Sequence, residues 1–124
     1  MRFGIFALAM GLASSVNAHE LVPTYPELVP SYLDGISVTS LQLFNRREDV
    51  NYYVIDVYTE DWSPVRFATA QQVIQVNYLQ KYTFDVYIRD EDVGVAHYVC
   101  TTSKLISNDV VSTGLSSRIC SRLR

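Results

Sequence analysis

The sequence predicts an all-β protein, a single antiparallel β-sandwich of about seven short strands. Three observations carry this. The chain is rich in Tyr, Val and Thr, with nine tyrosines in 124 residues, and such side chains suit pleated, half-buried surfaces. Turn signals recur at roughly ten-residue spacing, the rhythm of a sandwich. Patterns with helical periodicity are scarce.

The first eighteen positions read as something other than the fold. Arg2 supplies a positive charge, Phe3 to Leu12 is an uncharged and mostly apolar run, and Val16, Asn17 and Ala18 lead to a small-residue site. The run is too short to span a bilayer. Its order is that of a secretory signal peptide over residues 1–18, cut after Ala18. The competing reading is a buried N-terminal helix or strand. A cut there would begin the mature chain at His19 and leave about 100 residues, enough for one core and not for two.

Residues 19–34 carry Pro23, Pro26 and Pro30. Each lacks an amide donor, which restricts this segment to an edge strand or an extended arm. Asp34-Gly35 marks a turn, and the sandwich domain proper is expected over residues 35–124. Ile36 to Phe44 alternates as a strand, through Ile36, Val38 and a Leu41/Leu43 pair. Asn45 to Asp49 is a charged turn. Val50 to Thr59 is the strongest strand, with Tyr53, Ile55 and Val57 on one face and Tyr52, Val54, Asp56 and Tyr58 on the other. Ser63-Pro64 ends a turn, and Val65 to Phe67 reads as a short strand. The stretch 68–79 stays open: Val73, Val76 and Leu79 fall at helical spacing, yet the same residues also read as a strand. Tyr82 to Ile88 alternates with Phe84, Val86 and Ile88 together. Arg89 to Gly94 is an acidic turn, Val95 to Thr101 a strand, and part of Val110 to Arg122 another.

Cys100 and Cys120 are the two cysteines. In an exported chain an even count favours a disulfide, and only one pairing is available. The alternative is two buried free thiols. The bond would stabilise the fold by roughly 3 kcal/mol through loop closure.

A family resemblance emerges in the centre of the chain. Leu43-Phe44-Asn45, the charged turn after it, the aromatic-rich strand to Thr59 and then Asp61-Trp62-Ser63-Pro64 resemble the amino-terminal immunoglobulin-like domain of periplasmic pilus chaperones. The resemblance covers about a third of the chain and implies an immunoglobulin-like or fibronectin-like sandwich. Those chaperones add a second sandwich domain and hold a subunit's terminal carboxylate with a cleft arginine and lysine. No motif places either residue here, so neither is carried over. Tyr98, two residues before Cys100, resembles an immunoglobulin tyrosine corner. The earlier cysteine of that family is missing, so a Cys100–Cys120 bond would tie the last strands together and not bridge the sheets.

Charge narrows the function. The net charge of −3, one unit lower without Arg2, disfavours nucleic-acid partners. No later segment suits membrane insertion. No residue set points to a catalytic group, a cofactor or a metal. His19 would be a flexible new terminus, an N-terminal copper ligand being the sharper alternative, and His97 a rim residue. Asp90, Glu91 and Asp92, like Glu60 and Asp61, read as solvated turns more readily than as calcium ligands. The better candidates are exposed tyrosines and arginines: Tyr52, Tyr58, Tyr87 and Tyr98 cannot all fit one small core, and Arg118, Arg122 and Arg124 share a face if residues 115–123 form a strand. These predict an exported, periplasmic or extracellular, non-enzymatic domain that binds another protein by a sheet edge or a Tyr-rich face, chaperone-like or accessory to an assembly. One alternative is a structural component of a surface or viral assembly, gripping a neighbour with the arm at 19–34. A second is a small secreted metal-binding protein or hydrolase.

Overall fold

The computed structural model describes residues 18–104 and 116–124. Most of the expected signal peptide, and the Val110 end of the last expected strand, lie outside these residues. Eight strands are present among those described: β1 (Glu20–Val22), β2 (Val29–Pro30), β3 (Ile36–Phe44), β4 (Tyr52–Tyr58), β5 (Val73–Gln75), β6 (Lys81–Arg89), β7 (Tyr98–Lys104) and β8 (Arg118–Arg122). They form two antiparallel sheets, as an immunoglobulin-like sandwich requires. In the first, β3 is central, with β6 along one side and β1 and β2 end to end along the other. The second runs β5-β4-β7-β8.

Period-two alternation places the core between the sheets. Tyr53, Ile55 and Val57 of β4, Phe84, Val86 and Ile88 of β6, and Val99 of β7 are buried, together with Leu41, Leu43 and Ile74. Each of the larger aliphatic side chains contributes roughly 1.5–3 kcal/mol by leaving water. In β3 the inward phase is Thr39, Leu41 and Leu43, so Ile36 and Val38 fall on the outer face and are only half-buried.

Local expectations were displaced at two places and an open one was resolved at a third. Val65 to Phe67 is not a strand: isolated bridges at Tyr58–Pro64 and Ala68–Tyr87 show the chain crossing here from one sheet to the other, so no ladder can run. In 68–79 the strand reading prevails. Val73–Gln75 pairs with Tyr52–Val54 and satisfies the outer edge of β4 while burying Ile74 and Val76. The penultimate strand begins at Tyr98 and not Val95, because Val95 and Ala96 donate their amides to the Asp92 carbonyl in a turn that follows the 3-10 helix Asp90–Asp92.

Residues 19–34 are hydrogen-bonded into the sandwich. β1 pairs with the end of β3, residues 24–26 cross to the second sheet, and β2 returns to β3. At the crossing, the Thr24 and Pro26 carbonyls accept from the Arg122 and Arg124 amides at 2.9 and 3.0 Å. Among the described residues this segment is an edge element of its own domain.

Candidate protein-binding face

The outer face of the β5-β4-β7-β8 sheet is ordered by register. Tyr58, Tyr98 and Arg122 stand in one row across β4, β7 and β8. Asp56, Cys100 and Cys120 form the next outward row, and Val54, Thr102 and Arg118 the one after it. Tyr52 and Lys104 complete the face.

Cys100 and Cys120 are directly opposite and bonded, with an S–S distance of 2.02 Å. The bond joins neighbouring strands of one sheet. Although it faces outward, Cys100 is fully buried. The Arg118 guanidinium carbon lies 5.2 Å from the centre of the Tyr58 ring. Those two residues belong to the rows on either side of the disulfide, so the Arg118 stem must pass over it. Long cationic side chains cover apolar surface in this way while keeping the charged head in water.

Trp62 completes the cluster. Its ring lies flat on Tyr98, with centroids 4.5 Å apart and planes within 5°, and it meets Tyr58 at 5.9 Å. Trp62 nevertheless remains 48% exposed. Its backbone is left-handed, φ 67°, a conformation unfavourable for a bulky residue. A tight turn enforces it. The Trp62 amide donates to the Thr59 carbonyl, the Thr59 amide to the Ser63 carbonyl, and the Thr59 hydroxyl to Asp61. Hydrogen bonds from Thr59 and Ser63 hold the Asp61 carboxyl below its ordinary range.

The predicted contact residues therefore divide. Tyr58, Arg118 and Arg122 come together on this face, with Tyr52 at its far end. Arg124 lies just beyond β8, its guanidinium 5.4 Å from the centre of the exposed Tyr25 ring. Tyr87 is on the other sheet, in a hollow of about 160 Å3 with Ile36, Phe67 and Arg89. Trp62 and Tyr25, both exposed, were not among the residues expected from the sequence. Only the Asp-Trp-x-Pro turn signalled the first.

Beside the cluster, Thr59, Glu60, Asp61, Gly94, Val95 and His97 line an open groove of about 520 Å3. His97 Nε2 is 3.8 Å from a Glu60 oxygen. Among the described residues no group of three or more His, Cys, Asp or Glu could hold a metal ion. Asp90, Glu91 and Asp92 are engaged locally: Ser37 donates to Asp90 at 2.7 Å, and Arg89 reaches Glu91 and Asp92 at 2.9 and 3.0 Å.

His19 corrects the expectation of a flexible terminus. It is 1% exposed, its ring 4.6 Å from that of Tyr53. Nε2 lies 3.1 Å from the Thr101 carbonyl and 2.7 Å from its hydroxyl. A carbonyl only accepts, so Nε2 carries the hydrogen, and Nδ1 accepts from Ser117 at 3.3 Å. Burial pushes the imidazole down to about 4. The Tyr53 hydroxyl, raised to about 12 by burial, donates to Asn45 at 2.5 Å. Buried Asn45 donates to the Val50 and Val76 carbonyls at 2.6 and 2.8 Å and accepts from the Arg47 amide. His19 thereby ties the chain just before β1 to Thr101 of β7, and Asn45 joins the ends of β3, β4 and β5.

The sandwich is that of solved PapD-like domains. It superposes on the E. coli chaperone DraB with a TM-score of 0.62 at 17% identity, covering 86% of this chain and 53% of that one. The periplasmic chaperone SfaE gives 0.53 at 14% identity, over 86% and 56%. The ASH/PapD-like domain 7 of human CEP192 gives 0.54 at 8% identity, over 85% and 81%. The chain thus spans about half the length of the two chaperones. At these identities the likeness is one of fold. No family model and no curated protein sequence matches the chain.

Proposed function

We propose that this chain is an exported, non-catalytic protein-binding domain, chaperone-like or accessory to an assembly, acting in the periplasm or outside the cell. Its contact surface is the outer face of the β5-β4-β7-β8 sheet. The observation that carries this reading is Trp62, stacked on Tyr98, half-exposed and held in a left-handed turn. Strained backbone of this kind costs on the order of 1–3 kcal/mol and persists where surroundings impose it, often at functional positions. The residue types agree, since Trp, Tyr and Arg dominate binding hot spots. The PapD-like fold supports the chaperone-like class, and half of each chaperone's length lies outside the match. Residues 19–34, which the assembly alternative would use to grip a neighbour, are hydrogen-bonded within this sandwich.

The β8 edge offers a second point of contact. Arg122 directs its amide away from β7, toward Thr24. By alternation Arg118 and Cys120 direct theirs the same way, beyond the reach of residues 24–26. A short edge with no described strand paired to it can accept a partner strand.

The test is site-specific photo-crosslinking in the cells that make the protein. A photoreactive residue at Trp62 should capture one discrete protein, and the same probe at Thr83, on the outer face of the other sheet, should not. Equal labelling from both positions, or none from Trp62, would overturn the assignment.

A further inference from the structure

We infer that the partner presents an acidic, extended peptide segment, read by Arg118, Arg122 and Arg124. This rests on the protein-binding reading above and names the chemistry of the partner. The first observation is an imbalance of pairing. The chain has 13 Asp and Glu against 10 Lys and Arg, so carboxylates are in excess. Arg46 pairs with Glu20 at 2.8 Å, Arg47 with Asp49 at 2.6 Å, and Arg89 with Glu91 and Asp92. Arg118, Arg122 and Arg124 have no carboxylate partner among the described residues, and unlike Arg66, Lys81 and Lys104, which share that lack, they fall within seven residues on and just after β8. The nearest acid by register, Asp56 in the disulfide row, accepts from Gln72 at 3.2 Å.

The second observation is support from below. Arg118 and Arg124 rest over the rings of Tyr58 and Tyr25 at 5.2 and 5.4 Å. Stacked guanidiniums lose less freedom when they meet a ligand, and their fork matches a carboxylate in two-point contact.

Spacing is the third. The amides of Arg122 and Arg124 both point to the 24–26 segment, so strand alternation continues to Arg124. At a rise of about 3.3 Å per residue, Arg122 and Arg124 are about 7 Å apart along the strand, and Arg118 and Arg122 about 13 Å. Alternate side chains of any extended peptide share that repeat. Carboxylates in the pattern Glu-x-Glu match the Arg122 and Arg124 spacing, and a further Glu would meet Arg118, whose guanidinium lies over Tyr58 in the Arg122 row. A polyanion such as single-stranded nucleic acid would meet the same guanidiniums, but the net charge of −3 opposes its approach.

Fluorescence anisotropy with the intact protein tests this. The probes are a labelled peptide carrying Glu-x-Glu and a further Glu, its all-Gln counterpart, a thymidine oligonucleotide and a heparin oligosaccharide. The Glu peptide should bind at least about tenfold more tightly than the Gln peptide, as expected for charge-assisted contacts. Its affinity should fall severalfold with added salt. The double variant Arg122→Glu/Arg124→Glu should lose about tenfold or more with an unchanged urea midpoint; should it fail to fold, the Glu/Gln comparison still decides. Equal binding of the two peptides overturns the inference, and so does tighter binding of the oligonucleotide or heparin. If crosslinking from Trp62 captures a partner while the peptides bind equally, the acidic segment is wrong and the face stands. Failure of the crosslink removes the face itself.

Discussion

The Arg118 guanidinium reaches the Tyr58 ring, 5.2 Å away, across the row that holds the Cys100–Cys120 disulfide. One contact thus joins the outermost strand to β4 and lies across the row of the bonded pair, of which Cys100 is fully buried.

Removing that contact should expose the bond. Arg118→Ala is expected to accelerate reduction of the disulfide by a water-soluble phosphine severalfold, while costing no more than about 1 kcal/mol of stability for the lost cation–π contact. Timed alkylation and mass spectrometry would measure the rate. An unchanged rate would show that Arg118 shields nothing.

Loss of the bond itself should cost more. Cys100→Ser with Cys120→Ser frees a loop of 20 residues and should destabilise the fold by about 3 kcal/mol in urea unfolding. The β7–β8 ladder remains hydrogen-bonded in the variant, so circular dichroism should be unchanged.

His19 should make the protein acid-sensitive. Burial, the largest influence, pushes its folded pKa down to about 4, with the Thr101 carbonyl acting the other way and the Arg47 charge adding to the depression. The unfolded chain takes up a proton near pH 6.5 and the folded chain does not until much lower. The stabilisation is therefore complete above about pH 7 and is lost as pH falls from about 6.5 toward 4, by up to about 3 kcal/mol. His19→Gln should flatten that limb of the stability–pH curve relative to the parent, read by urea unfolding between pH 7 and 4.

Asn45 should be the most sensitive polar residue in the fold. It is fully buried and joins Tyr53, Val50, Val76 and Arg47. Asn45→Ala leaves two carbonyls and a hydroxyl unpaired and should cost about 3 kcal/mol or more. Tyr53→Phe removes one bond and should cost about 1–2 kcal/mol. A double-mutant cycle should show the two to be coupled, since they share that bond; additive losses would contradict the network.

Periodicity made much of the fold legible. The inward faces of β4 and β6 follow from alternation alone, since neighbouring side chains on a strand must point to opposite sides. Cys100 and Cys120 could be paired by count. The resemblance in Leu43-Phe44-Asn45 and Asp61-Trp62 marked residues that matter: Asn45 anchors the buried network and Trp62 tops the aromatic cluster.

What the sequence by itself determined was which side each strand residue takes, because that is set within a few bonds. Which residues meet across strands was decided only by the tertiary structure. Tyr58 meets Arg118, and Tyr98 meets Trp62, through register between segments far apart in the chain. Tyr87 looks the same in sequence and lies on the opposite sheet. His19 likewise becomes a core residue only because a partner 82 positions away, Thr101, takes its hydrogen bond. Long-range pairing leaves no local trace, so the contact face could be populated from sequence but not assembled from it.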